Sequence, residues 1–171
     1  MRTMILFLVA ACAVGLLVSC EKAEGPEGGP AKGAPVVAAK PGETVLEAET
    51  LTLSGCKVAA LKGASGGKAV LMMAEGDQVT ATVALKKGAY KVVLVMQGES
   101  DEEDAVYLTV GAGEKRRMWT SGRGALADAV QMGDEQPFIE LKIDKDGPVE
   151  VKLEFAEKNV QVDRIVFALQ D

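Results

Sequence analysis

From Val149 to Phe155 the chain alternates without a break: Val149, Val151, Leu153 and Phe155 are apolar, and Glu150, Lys152 and Glu154 between them are charged. Successive side chains of a strand point to opposite faces, so a period of two specifies a strand with one face in a core and the other in water. Ile139, Leu141 and Ile143, separated by Glu140 and Lys142, repeat the pattern, and Asp144 to Pro148 reads as the turn of a hairpin joining the two strands. Shorter runs bounded by glycine and acidic turns predict further strands at 45–53, 56–61, 68–74, 78–85, 89–97, 105–110 and 161–169. No stretch of helical length keeps a period of 3.6. The expectation is one all-β domain over residues 44–171, with the strand count of a two-sheet sandwich.

The N-terminal part is of another kind. Arg2 precedes an apolar run from Met4 to Val18, 15 residues long, which matches the apolar region of a signal peptide. Spanning a bilayer takes about 20 apolar residues. The run ends Leu17, Val18, Ser19, Cys20 and resembles a bacterial lipobox, in which a small residue precedes the cysteine that is acylated. The resemblance implies a lipoprotein signal peptide at 1–19 and a lipid on Cys20, anchoring the chain to a membrane without spanning it. Residues 21–43 hold four of the six prolines and five glycines; the segment 20–43 therefore reads as a flexible linker between the anchor and the domain. Glu21 follows Cys20 where an aspartate would favour inner-membrane retention, so the outer membrane is the expected site within the cell envelope.

After loss of residues 1–19, Cys56 is the one cysteine besides Cys20, so no disulfide forms within the domain. Cys56 lies among small and apolar residues and reads as an inert thiol. That cleavage removes one cation, Arg2, and no acid, taking the net charge from -6 to -7. Such a surface repels phosphate and argues against a nucleic-acid partner. The chain has no histidine, which excludes Ser/His and Cys/His catalysis and the usual histidine metal sites. No pair of carboxylates is evident for glycosidase chemistry, and the domain reads as non-catalytic.

Three carboxylates break the polarity pattern. If 45–53 is a strand, Glu47 and Glu49 share a face with Val45, Leu51 and Leu53. Asp163 shares its parity with Ile165, Phe167 and Leu169. Desolvated carboxylates are costly unless paired, protonated or bound to a cation. A hard cation such as calcium, which takes six to eight oxygen ligands, resolves the conflict; so does a face that is simply wet.

Most of residues 45–169 resembles the family 6 and family 35 carbohydrate-binding modules. The resemblance rests on the opening Glu47-Ala48-Glu49, on Gly66-Gly67 leading through Gly76-Asp77-Gln78-Val79 into a strand, and on Gly88-Ala89-Tyr90 before Val92 and Leu94. It continues with Gly147 ahead of Val149, Val151 and Leu153 and closes on Asn159-Val160-Gln161-Val162-Asp163-Arg164-Ile165. It implies a jelly-roll β-sandwich and a structural calcium ion held by Glu47, Glu49 and Asp163. It also implies binding of a polysaccharide or other glycan through aromatic rings and an asparagine near the last strand, which here is Asn159.

Aromatic residues are scarce. Tyr90 matches a tyrosine that the family keeps in its core, Phe155 and Phe167 read as core by alternation, and Trp119, the one tryptophan, lies in Lys115-Arg116-Arg117-Met118-Trp119. Trp119 is the candidate platform, with partial burial at a strand end as its structural alternative. Arg116 and Arg117 beside it would pair with the carboxylates of acidic glycans, unless they are ordinary solvated charges. The acidic run Asp101 to Asp104 reads as a solvated loop, and Gly63 to Ala69 fails as a phosphate-binding loop because Lys62 and Ala69 occupy motif positions. The functional expectation is a calcium-stabilised, non-catalytic carbohydrate-binding domain on an envelope lipoprotein. The alternative is a protein-protein interaction domain on the same fold.

Overall fold

A computed structural model describes residues 40–170. The apolar run, Cys20 and all of the linker except residues 40–43 lie outside the described residues. The described part begins with β1 (Glu43–Glu47), a 3-10 turn (Ala48–Thr50), β2 (Thr52–Ser54), β3 (Lys57–Ala60), β4 (Lys68–Met72), β5 (Gln78–Leu85) and β6 (Gly88–Gln97). It continues with β7 (Ala105–Val110), β8 (Arg116–Trp119), β9 (Ala127–Asp128), β10 (Val130–Gln131), β11 (Ile139–Ile143), β12 (Gly147–Phe155) and β13 (Val160–Gln170).

These strands form two sheets. One has the order β11-β6-β13-β4-β3, with β1 also paired to β13 and β9 to β6. The other runs β10-β8-β7-β12-β5-β2. The long strands are antiparallel to their neighbours, with Phe167 opposite Val92 in the first sheet and Leu153 between Val79 and Leu108 in the second. The inner faces meet in a core in which Val92, Leu94, Ile165 and Phe167 face Val79, Leu108, Met118 and Leu153. Each fully buried side chain of this kind stabilises the fold by about 1.5–3 kcal/mol relative to exposure. Tyr90 keeps its ring in the core, and its hydroxyl donates to the Lys86 carbonyl at 3.0 Å and accepts the Lys86 amide at 3.2 Å.

Three expectations are corrected. The strands β11 and β12 do not form a hairpin: β11 pairs with β6 in one sheet, and β12 with β5 and β7 in the other. Alternation states that each strand has a core face but not which sheet receives it, and the turn from Asp144 to Pro148 links the two sheets. The strand expected over 45–53 is broken by the 3-10 turn into β1 and β2, which belong to different sheets. Val45, Leu46, Glu47 and Ala48 are buried in succession, so parity does not hold there. Finally, β8, β9 and β10 fill a region for which no strand range was predicted, although a strand end at Trp119 was the alternative weighed for that residue; each is four residues or fewer, too short to display a period.

A bulge sets the orientation of the last strand. Val162 opposes Met96 and Arg164 opposes Val95, so Asp163 is the extra residue. Before it Val160 and Val162 point inward; after it Ile165 and Phe167 do, and Asp163 itself is fully buried.

Candidate functional site

The break at Ala48–Thr50 and the bulge at Asp163 turn three carboxylates toward one loop. Glu47, the last residue of β1, is 4% exposed and Asp163 is fully buried. The Ser65 hydroxyl donates to Oε1 of Glu47 at 2.8 Å, and the Ser65 amide donates to Oδ1 of Asp163 at 2.9 Å. Gly66 adopts φ 68°, a left-handed conformation that glycine takes at no steric cost, and a Cβ there would lie 3.4 Å from Oε1 of Glu49. The turn at Ser65 and Gly66 thus bonds to Glu47 and Asp163 and lies beside Glu49. Oδ2 of Asp163 pairs with the guanidinium of Arg164.

The electrostatics are unfavourable to three bare anions. Burial pushes the Asp163 carboxyl above the ordinary aspartate value; the Ser65 amide and Arg164 oppose that shift, and the charges of Glu47 and Glu49 add to it. Oε2 of Glu47 and Oε2 of Glu49 are buried without a hydrogen-bond partner, and each such atom costs about 1–3 kcal/mol or more. Among the described residues no group of three acidic, cysteine or histidine side chains forms a metal cluster by itself. Calcium, however, takes carbonyl and water ligands as well as carboxylates. Two orphaned anionic oxygens beside a desolvated third carboxylate suit a hard divalent cation. Glu47, Glu49 and Asp163 are the residues that would hold it.

The candidate ligand residues gather at one end of the sandwich, with one exception. Trp119 ends β8, half-buried, between Ala105 of β7 and Val130 of β10. Arg117 lies on its face of the strand and pairs with Glu157, whose carboxylate also accepts the amides of Asp104 at 2.9 Å and Ala105 at 3.0 Å. Burial, then the neighbouring Glu157 carboxylate, push the Asp104 carboxyl upward. Asn159 stands at φ 61° and donates from Nδ2 to Oε1 of Glu103 at 2.7 Å. Glu103 belongs to the acidic run expected to be a solvated loop; its inner half instead anchors Asn159 and, at 3.6 Å, Lys158. Close backbone approaches knit the loops: Gly124 donates to the Gly98 carbonyl at 2.9 Å, and Thr120 to the Asp104 carbonyl at 3.0 Å.

Arg116 is the exception. Alternation along β8 turns it to the other face from Arg117 and Trp119, where it donates to Oε1 of Gln131. Ser65, Glu103 and Glu157 were missed in the sequence. Each acts through one short-range contact with a residue far away in the chain, which leaves no local pattern. Cys56 is half-buried, and its thiol contacts the Gln78 carbonyl at 3.4 Å. Burial, then the charge of Asp77, raise its pKa and keep it protonated.

No family model matches the chain, and no curated protein matches it in sequence. Solved structures match it in shape. The exo-beta-1,3-galactanase from Phanerochaete chrysosporium superposes with a TM-score of 0.58 at 20% identity over 77% of this chain, which spans 30% of the galactanase's length. A family 35 carbohydrate-binding module from Clostridium thermocellum gives 0.58 at 14% identity, covering 73% of this chain and 96% of the module. The CBM36-1 domain of a multidomain xylanase from the hindgut metagenome of Trinervitermes trinervoides gives 0.52 at 18% identity, covering 75% and 98%. The chain has the jelly-roll β-sandwich fold of the family 35 and family 36 carbohydrate-binding modules.

Proposed function

We propose that this chain is a non-catalytic, calcium-stabilised carbohydrate-binding domain carried by a lipid on Cys20 at the bacterial cell envelope, with the outer membrane favoured. The observation that carries the reading is the meeting of Glu47, Glu49 and Asp163 at the Ser65 turn, with two buried carboxylate oxygens left without partners. Solved neighbours covered over nearly their whole length are binding modules, which supports the same reading. When bound, calcium supplies the positive charge that lets three carboxylates stay ionised in a buried place. The bound end of β13 then fixes the start of that strand and with it Asn159.

At the ligand end, Trp119 offers the ring face and Asn159 the amide, each braced by an acid or a neighbouring strand. Arg117 is neutralised by Glu157, so it favours orientation of Trp119 and its loop over capture of an acidic sugar. The test is retention of the full chain, in a detergent without a sugar headgroup, on a panel of insoluble neutral and acidic polysaccharides in calcium. Retention lost in Trp119→Ala supports the reading. No retention of folded, calcium-loaded chain on any member moves the function to a protein partner on the same fold.

A further inference from the structure

In the first sheet β3 is the last strand, paired to β4 and, among the described residues, to no strand beyond it. The amide of Leu61, one residue past β3, donates to the Gly67 carbonyl at 3.0 Å. Opposed residues of an antiparallel ladder alternate between bonded and non-bonded pairs. Counting back from Leu61, Ala59 opposite Ala69 and Lys57 opposite Leu71 are bonded pairs, whereas Val58 and Ala60 turn their amide and carbonyl groups away from β4. These outward groups have the spacing that one more strand would need.

The side chains at this edge are of two kinds. Val58 is 47% exposed, although Val70, opposite it on the core side of the sheet, is fully buried. The core therefore thins out at β3 and leaves an apolar side chain half uncovered. Lys57 opens β3, Lys62 follows Leu61, and Lys68 lies opposite Ala60; all three are exposed. Among the described residues none of them has a carboxylate within ion-pair distance, on a chain whose net charge is -6.

Lysines on an edge strand keep like strands apart. Antiparallel pairing of two copies through β3 would bring both sets of lysines together, so the edge opposes a second copy. The same lysines attract carboxylates. An acidic polysaccharide would answer the charge, but it cannot bond amides and carbonyls at the spacing of a strand; an extended polypeptide can. We infer that β3 is a docking edge for an extended acidic segment of a partner protein, added as an outer strand. Its backbone bonds Val58 and Ala60, an apolar side chain covers Val58, and its carboxylates pair with Lys57, Lys62 and Lys68. This edge works whether or not the domain binds a glycan.

The experiment is amide hydrogen exchange, read by NMR on the full chain in detergent, with an acetylated and amidated peptide alternating valine and glutamate, about six residues long as strands usually are. The expected result is fast exchange at Val58 and Ala60 in the chain alone, slowed about tenfold at saturating peptide. A peptide alternating valine and lysine should slow neither amide. Val58→Pro removes an outward amide without breaking a bond to β4, in a position where an edge strand tolerates proline. It should weaken the acidic peptide about tenfold. Lys57→Glu combined with Lys62→Glu should do so by charge, and it keeps the test valid if Val58→Pro does not fold. Protection of Val58 and Ala60 in the chain alone would mean that the chain's own residues or a second copy cover the edge, and would overturn the inference. Equal protection by the two peptides, or protection by neither, would also overturn it.

Discussion

Ser65 and Asp163 stand 98 residues apart in the chain, and the amide of the first donates to Oδ1 of the second at 2.9 Å. The Ser65 hydroxyl reaches Glu47 from the same turn. One residue therefore ties the first strand and the last strand through their carboxylates. Removing the hydroxyl in Ser65→Ala leaves Oε1 of Glu47 without that donor beside an Oε2 that already has none. Chemical denaturation should show a loss of about 1–3 kcal/mol in the metal-free chain. An unchanged midpoint would mean that water satisfies Glu47 and that the site is open.

Calcium should raise the unfolding temperature of the chain, and a chelator should reverse the rise. A ligand at 100 times its dissociation constant adds about 2.7 kcal/mol when it binds only the folded state. Glu47→Gln and Asp163→Asn remove a charge with little change of shape, and each should abolish most of that increment. Equal midpoints in calcium and chelator would remove the metal from the account.

The pH dependence of the metal-free chain follows from Asp163. Burial, aided by Glu47 and Glu49, raises its folded-state pKa above the ordinary aspartate value of about 3.9. Between that value and the raised one, the folded chain holds more protons than the unfolded chain. Its stability contribution is therefore present at the acid end of this window and lost as pH rises through the folded pKa. Asp104 is raised by burial and Glu157 and adds a slope of the same sign. Compared at each pH, wild type should lose stability relative to Asp163→Asn as pH climbs from about 4. Calcium should suppress this difference in slope, since the ion compensates the charge that Asp163 acquires.

Gly98→Ala tests the ligand end by backbone crowding. A Cβ at Gly98 would lie 2.5 Å from the Glu103 carbonyl oxygen and 2.8 Å from the Asp104 Cα, both backbone atoms. The loop must shift, at a cost of about 1–3 kcal/mol. Because Glu103 holds Asn159, glycan affinity should fall together with the unfolding midpoint, while the calcium increment, read at the Ser65 turn, should persist. Retained affinity would separate Asn159 from the ligand.

How much of this was legible in the sequence differs from strand to strand. The strands β5, β7 and β11 stand where alternation predicted them, and β12 runs two residues longer at its start, because each has one core face and one wet face. The bulge was not read: Asp163 was placed on the parity of Ile165, Phe167 and Leu169 in a regular strand, whereas Val160 and Val162 are buried on the other parity and the register shifts at Asp163. Glu47 and Glu49 were singled out by an alternation that the structure does not possess. They meet because a 3-10 turn redirects the chain, and burial of Glu47 in a run of four buried residues has no periodic signature. Arg116 and Arg117, adjacent in sequence, were assigned to one site although a strand must part them; placing them required β8, whose four residues are too few to announce it.

The most direct test of the account is the affinity of the folded full chain for a panel of neutral and acidic polysaccharides, measured in calcium and in chelator. The account predicts saturable binding to at least one glycan in calcium, weakened about 30-fold in Trp119→Ala, equivalent to about 2 kcal/mol for a buried aromatic anchor. It also predicts a lower unfolding midpoint in chelator. Folded chain that binds no glycan in calcium and melts at the same temperature in chelator would contradict it.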